Sequence, residues 1–142
     1  MDARLQLYND IKTTIEAAVP EVKHIALWNQ DTLFLDQDAP WARPAVFVEF
    51  GAIEWTCAKE AAGIKSARGI GQIYLHTVTD WKEEAYEEAF DIEERVWAAI
   101  DDMERTPAAF VSAPKQTQTN HNHDELLEHV DSYVARYLKQ WQ

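Results

Sequence analysis

From residue 80 to residue 101 the segment "DWKEEAYEEAFDIEERVWAAID" repeats its apolar residues at three- and four-residue intervals. Ala85, Ala89, Ile92, Val96 and Ile100 fall on one stripe, and Tyr86, Phe90 and Trp97 widen it. That period belongs to an amphipathic helix, because a strand would send these side chains to both faces. Asp80 reads as the N-cap and Glu83 as the second half of a capping box, while Glu84, Glu87 and Glu88 set negative charge near the positive end of the helix dipole. A stripe this wide predicts burial against a sheet with aromatic surface left over for a partner. The glutamates read as a solvated helix face and not as a catalytic cluster, since the sequence names no histidine and no cleft beside them.

The remaining chain supplies that sheet. Leu7, Ile11, Ile15 and Ala18, widened by Leu5, Tyr8 and Val19, predict a first helix over residues 3–18, stopped by Pro20. "VKHIALWN" reads as a strand, and the segment from Gln30 to Arg43 as a long acidic loop. In "AVFVEFG" Val46, Val48 and Phe50 alternate with Phe47 and Glu49, the pattern of a strand with two unlike faces, and "IEWTC" either continues it or pairs with it after a bend at Gly51. Lys59, Lys65 and Arg68 then gather around Gly63, Gly69 and Gly71. The pattern fits neither of the phosphate-binding glycine motifs, and "IGQIYLHTV" beyond it alternates as a strand, so Ala58 to Gly69 is expected to be a mobile basic hairpin loop that meets an acidic partner or a neighbouring copy. Past Pro107 helix and strand periods compete over residues 126–140; the β-branched and aromatic content of "HVDSYVARYL" favours a hairpin of two strands.

Three of the five histidines lie in "TNHNHDELLEH", Thr119 to His129. His121 and His123 are two apart and would share a face of a strand, which gives two ligands for a cation; Asp124, Glu125, Glu128 and His129 are the candidates for a third. No HExxH or paired-cysteine pattern supports a site, so Asn120 to Asp124 is read as a polar turn, with no metal and no cofactor.

A chain of 142 residues with 46% hydrophobic side chains, six of them Trp, suits one domain with a real core over its whole length. Its formal net charge of -12 opposes general binding of nucleic acid, whose phosphates repel such a surface. Cys57 has no second cysteine to pair with, and the first ten residues carry no signal-peptide pattern, so secretion is not expected. No apolar run reaches membrane-spanning length.

The order is then α-β-β-β-α-β-β. A first helix, "PAVFVEFGAIEW", a flexible loop, "GIGQIYLHTVTDW" running into a helix, and a closing strand pair together resemble the tail terminator and related tail-completion proteins of long-tailed bacteriophages, across nearly the whole chain. That resemblance implies an α+β fold, a mostly antiparallel sheet packed on one face by two helices. It also implies a ring of copies, usually six, that caps the tail tube and joins tail to head in the virion, without catalysis. The partners it implies are other copies, the tail tube protein and the head-tail connector proteins. By position the Ala58–Gly69 loop would point at the tube or a neighbour, and the Gln30–Arg43 loop would lie at the other exposed edge. Candidate interface residues are therefore Lys59, Lys65 and Arg68 on one side and Asp31, Asp36, Asp38 and Trp41 on the other. Two readings from other classes stand beside this one: a metal-binding protein or hydrolase using His121 and His123, and a soluble adaptor whose Trp and Tyr residues contact one protein partner.

Overall fold

A computed structural model describes residues 2–28, 41–81, 86–103, 109–111, 114–123 and 126–142, with the backbone alone at 57–59, 109–111, 122 and 123. Helix α1 spans Ala3–Ala18, strand β1 His24–Leu27, β2 Ala45–Ala61, β3 Ile64–Asp80, helix α2 Tyr86–Asp101, β4 Ala109–Val111, β5 Gln116–His123 and β6 Leu126–Trp141. The expected α+β order holds, with β4 added between α2 and the closing strand pair.

The two helices begin and bury for reasons visible in their sequences. Asp2 caps α1: its Oδ1 accepts the Arg4 backbone N–H at 2.8 Å. The Arg4 side-chain and backbone hydrogen bonds hold the Asp2 carboxyl down to about 2. Leu7, Ile11 and Ile15 are buried along one face of α1, and Ala89, Ile92, Val96 and Ile100 along α2, as the two stripes require. Asp80, however, is the last residue of β3 and faces Leu126 in the register, its carboxylate ion-paired with the Arg43 guanidinium. Strand pairing therefore claims the residue expected to cap α2, and Glu83, Glu84 and Ala85 lie outside the described residues.

The sheet has the order β1-β2-β3-β6-β4, with β5 also on the outer edge of β6. Among the described residues only β1 and β2 run parallel. Val46 and Val48 of β2, Ile73 and Leu75 of β3, and Tyr133, Ala135 and Tyr137 of β6 pack against both helices in one core. Phe47, Val78 and Leu126 on the reverse face form a smaller cluster with Trp28 and Trp41.

The basic loop expected at Ala58–Gly69 is instead a strand-paired hairpin, with one register shift between Cys57 and Glu60. Pairing between β2 and β3 continues to Ala61 and Ile64, which leaves only Ala62 and Gly63 as the turn. Both have positive φ, 53° and 79°, the two-residue turn whose twist matches that of the flanking strands. Gly69 is not there for motion. A Cβ on it would lie 2.7 Å from Ile53 Cγ2 and 2.9 Å from the Trp55 ring, so the glycine makes room for side chains crossing from β2. A bulge between Phe50 and Ile53 supplies one extra residue and turns Ile53 and Trp55 to the same face as Val48 and Phe50. "IEWTC" thus continues β2 without a break in the sheet.

Candidate functional site

Strands β2, β3 and β6 run on together to one end of the sheet, with β3–β6 register from Lys65↔Trp141 to Asp80↔Leu126. The end of the sheet formed by 53–61, 64–71 and 135–141, whose inner residues Ile53, Ala135 and Tyr137 still pack on the core and whose edge is β4 at 135–137, has two unlike faces. On the helix side Trp55 lies over Gly69 with its ring 6.3 Å from that of Tyr137, and Lys65, Lys139 and Trp141 follow toward the tip. Here a groove of about 610 Å³ separates the start of α1, at Asp2 and Arg4, from Trp55, Tyr137 and Lys139. Burial pushes the Tyr137 hydroxyl up to about 12, so the phenol stays neutral in that wall.

On the reverse side a shallower groove of about 460 Å³ is lined by Thr56, Arg68, Ile70, Arg136 and Leu138. Arg68 stands opposite Leu138, and Ile70 opposite Arg136, so the two guanidinium-bearing residues are diagonal neighbours on one face with two aliphatic side chains between them. Ile70 is 46% exposed. The structure therefore redistributes the predicted cluster of cations: Lys65 and Arg68, three apart on a strand, project from opposite faces, and of Lys59 only the backbone is described. Arg136, which sequence reasoning passed over, takes the place of Lys65 beside Arg68. No local pattern announces it, because the pairing of β3 with β6 is what brings it there.

The outer flank of α2 is the second exposed apolar feature. Tyr86, Phe90 and Trp97 are each more than 40% exposed although they belong to the stripe read from the sequence. Phe90 meets the buried His129 ring edge-on at 4.9 Å, and Trp81 stacks against Tyr86. Glu87, Glu94 and Asp101 are exposed beside these rings on the helix surface.

Beneath that flank lies a buried polar row. Glu93 hydrogen-bonds the Asp131 side chain, and burial first, then that bond, pushes its carboxyl up to about 8. Thr117 donates its hydroxyl to Asp131 Oδ1, and Thr119 Oγ1 lies 3.0 Å from His129 Nδ1. Burial lowers the pKa of His129, which favours the neutral ring. The burial of Glu93 was readable from periodicity, because it sits one turn from Ala89 and Val96; its meeting with Asp131 was not.

The reverse face holds a different polar set. His76 reaches Glu128 through Nδ1 and Glu49 through Nε2, both at 2.7 Å, and Asn120 Nδ2 donates to Glu128 Oε1 at 3.1 Å. Both ring nitrogens face carboxylates, so neither is turned toward a nucleophile, and the Trp28 indole covers the imidazole. The set acts as a cross-brace between β2, β3 and β6.

His121 lies on β5 with its ring 4.8 Å from Trp81, and His123 ends the same strand; Asp124 and Glu125 are outside the described residues. Asn120 to His123 are strand and not turn, since β5 keeps pairing with β6 as far as His123↔Leu126. Among the described residues no group of three or more His, Cys, Asp or Glu is placed to hold a metal ion. Asp31, Asp36 and Asp38 lie outside the described residues. Trp41 is half-buried, with its ring edge-on to Phe47 at 5.0 Å and the Arg43 guanidinium above it, so packing within the chain accounts for much of it. Among the described residues no helix is long and apolar enough to cross a membrane.

Neither a protein-family model nor a curated protein matches the chain. Among solved structures it is similar to a chain described as "Virion of native gene transfer agent (GTA) particle", with 12% identity and a TM-score of 0.48 over 97% of this chain and 92% of that one.

Proposed function

We propose that this chain is a structural protein of a phage or prophage, assembling as a closed ring of identical subunits, six in number, that caps the tail tube and joins the tail to the head. It works in the tail or neck of the particle after assembly in the bacterial cytoplasm. Its partners are other copies, the tail tube protein and the head-tail connector proteins, and it neither catalyses a reaction nor grips the nucleic acid that passes it.

The observation that carries this reading is the far end of β2, β3 and β6. It leaves Trp55, Ile64, Ile70 and Trp141 each at least 40% exposed, on both faces and at the tip. Large exposed apolar side chains concentrated at one end of a sheet mark a contact surface. The order of elements supports the same conclusion, and the net charge of -12 suits a ring through which nucleic acid must slide.

Negative-stain imaging of the purified protein at high concentration should show closed rings of uniform diameter. A particle lacking the gene should accumulate heads and tails that fail to join, and supplying the chain should restore joining. A protein that stays monomeric at every concentration, and whose deletion leaves particle assembly intact, would overturn the reading.

A further inference from the structure

Two of the exposed apolar surfaces among the described residues differ in charge. The reverse face of that end of the sheet presents Ile70 and Leu138 between Arg68 and Arg136, with one carboxylate, Glu54, opposite Ile70 on β2, and the outer flank of α2 presents Phe90 and Trp97 beside Glu87, Glu94 and Asp101. They cannot meet within one chain. The α2 flank lies on the helix side of the sheet, above β5 and the first half of β6, whereas Arg68 and Arg136 project from the other side of β3 and the second half of β6.

We propose that the Arg68–Ile70–Arg136–Leu138 face of one copy docks onto the Phe90–Trp97 flank of α2 in the next copy, head to tail. This rests on the ring reading above and names the contact that would build the ring. Two unlike patches that recognise each other make a heterologous interface, which repeats around a closed ring when the rotation between copies closes. The charge pattern specifies register: an acidic helix flank placed in a groove edged by two arginines pairs unlike charges, while groove against groove or helix against helix sets like charges together. The apolar centre fits as well, since the aromatic rings of α2 can enter the groove over Ile70 and Leu138 and exclude water from the surrounding ion pairs.

Charge exchange between two variants tests the pairing directly. One variant carries Arg68→Glu with Arg136→Glu, the other Glu87→Lys with Glu94→Lys, and Arg68→Glu alone serves as a milder version should the double change disturb folding. Circular dichroism and melting establish that each is folded. Alone, each should self-associate at least about tenfold more weakly than wild type in sedimentation velocity at low salt, because each sets like charges across every interface. Mixed in equal amounts they should assemble again, since each reversed face then finds a reversed partner in an alternating ring.

Folded variants that assemble like wild type, or that fail separately and also fail when mixed, would overturn the docking while leaving a wild-type ring standing. Restored assembly into open filaments would support the docking and overturn the closed ring. A hairpin variant that forms wild-type rings but no longer joins tail tubes would assign this face to the tube protein and overturn self-docking.

Discussion

The His76 imidazole lies flat against the Trp28 indole, ring centroids 3.7 Å apart and planes 6° from parallel. Trp28 thereby roofs the contacts that His76 makes with Glu49 and Glu128 and lowers the solvent access of the pair it covers. His76→Phe keeps a flat ring under Trp28 but leaves Glu128, whose side chain is 8% exposed, with Asn120 as its remaining described partner. Loss of about 2–4 kcal/mol in urea unfolding is expected, since a buried carboxylate loses its charge-assisted bond. Trp28→Leu, which removes the stacking alone, should cost about 1–2 kcal/mol. If the two substitutions cost the same, the carboxylate contacts are not what matters at His76.

Glu93 gives the fold a pH dependence of definite sign. Its carboxyl is raised from 4.5 in the ordinary state to about 8 in the fold, so the folded chain holds a proton that the unfolded chain has lost between those values. The contribution is fully present below about 4.5 and disappears as pH rises toward 8. Glu93→Gln keeps a donor for Asp131 and removes the titration. At pH 9 the variant should exceed wild type by about 1–3 kcal/mol, and near pH 4 the two should agree. Parallel stability profiles across that range would show that Glu93 ionises freely.

Gly69 should resist substitution because of what crosses over it. Gly69→Ala places a Cβ against Ile53 and the Trp55 ring, and a cost of about 1–3 kcal/mol is expected from forcing them aside. Trp55→Ala in the same chain should recover part of that loss, since the ring is the closer of the two to solvent. Additive costs in a double-mutant cycle would locate the problem in the backbone of β3 instead.

The hairpin makes a prediction opposite to that of a mobile loop. Backbone pairing of Ala67 and Arg68 with both β2 and β6 predicts slow amide exchange at those two residues, with fast exchange at Ala62 and Gly63. Trypsin should accordingly cut slowly after Arg68 in the isolated protein. Rapid exchange from 58 to 69 as one block would restore the loop.

Local order fixed much of this molecule in advance. The spacing of Leu7, Ile11 and Ile15 sufficed for α1 to its observed ends, and the alternation of Val46, Phe47, Val48 and Glu49 sorted two faces of β2 correctly, because helix and strand periods decide direction residue by residue. The competition between helix and strand over 126–140 was also resolved correctly by β-branched and aromatic content, and β6 is one 16-residue strand. Glycine and charge misled where the reasons for them lay elsewhere in the chain. Gly69 suggested a mobile loop, but it makes room for Ile53 and Trp55 crossing from β2.

Only the tertiary structure decided which polar groups meet. Glu49, His76 and Glu128 come from three strands, Glu93 and Asp131 from a helix and a strand, and Arg68 and Arg136 from strands far apart in sequence. Each meeting depends on sheet order and register, and a shift of one residue would send every side chain of β6 to the other face. Hydrophobic periodicity is a property of neighbouring residues and can be read along the chain. The juxtaposition of charges across β3 and β6 is a property of strand pairing, and it exists only once the sheet has closed.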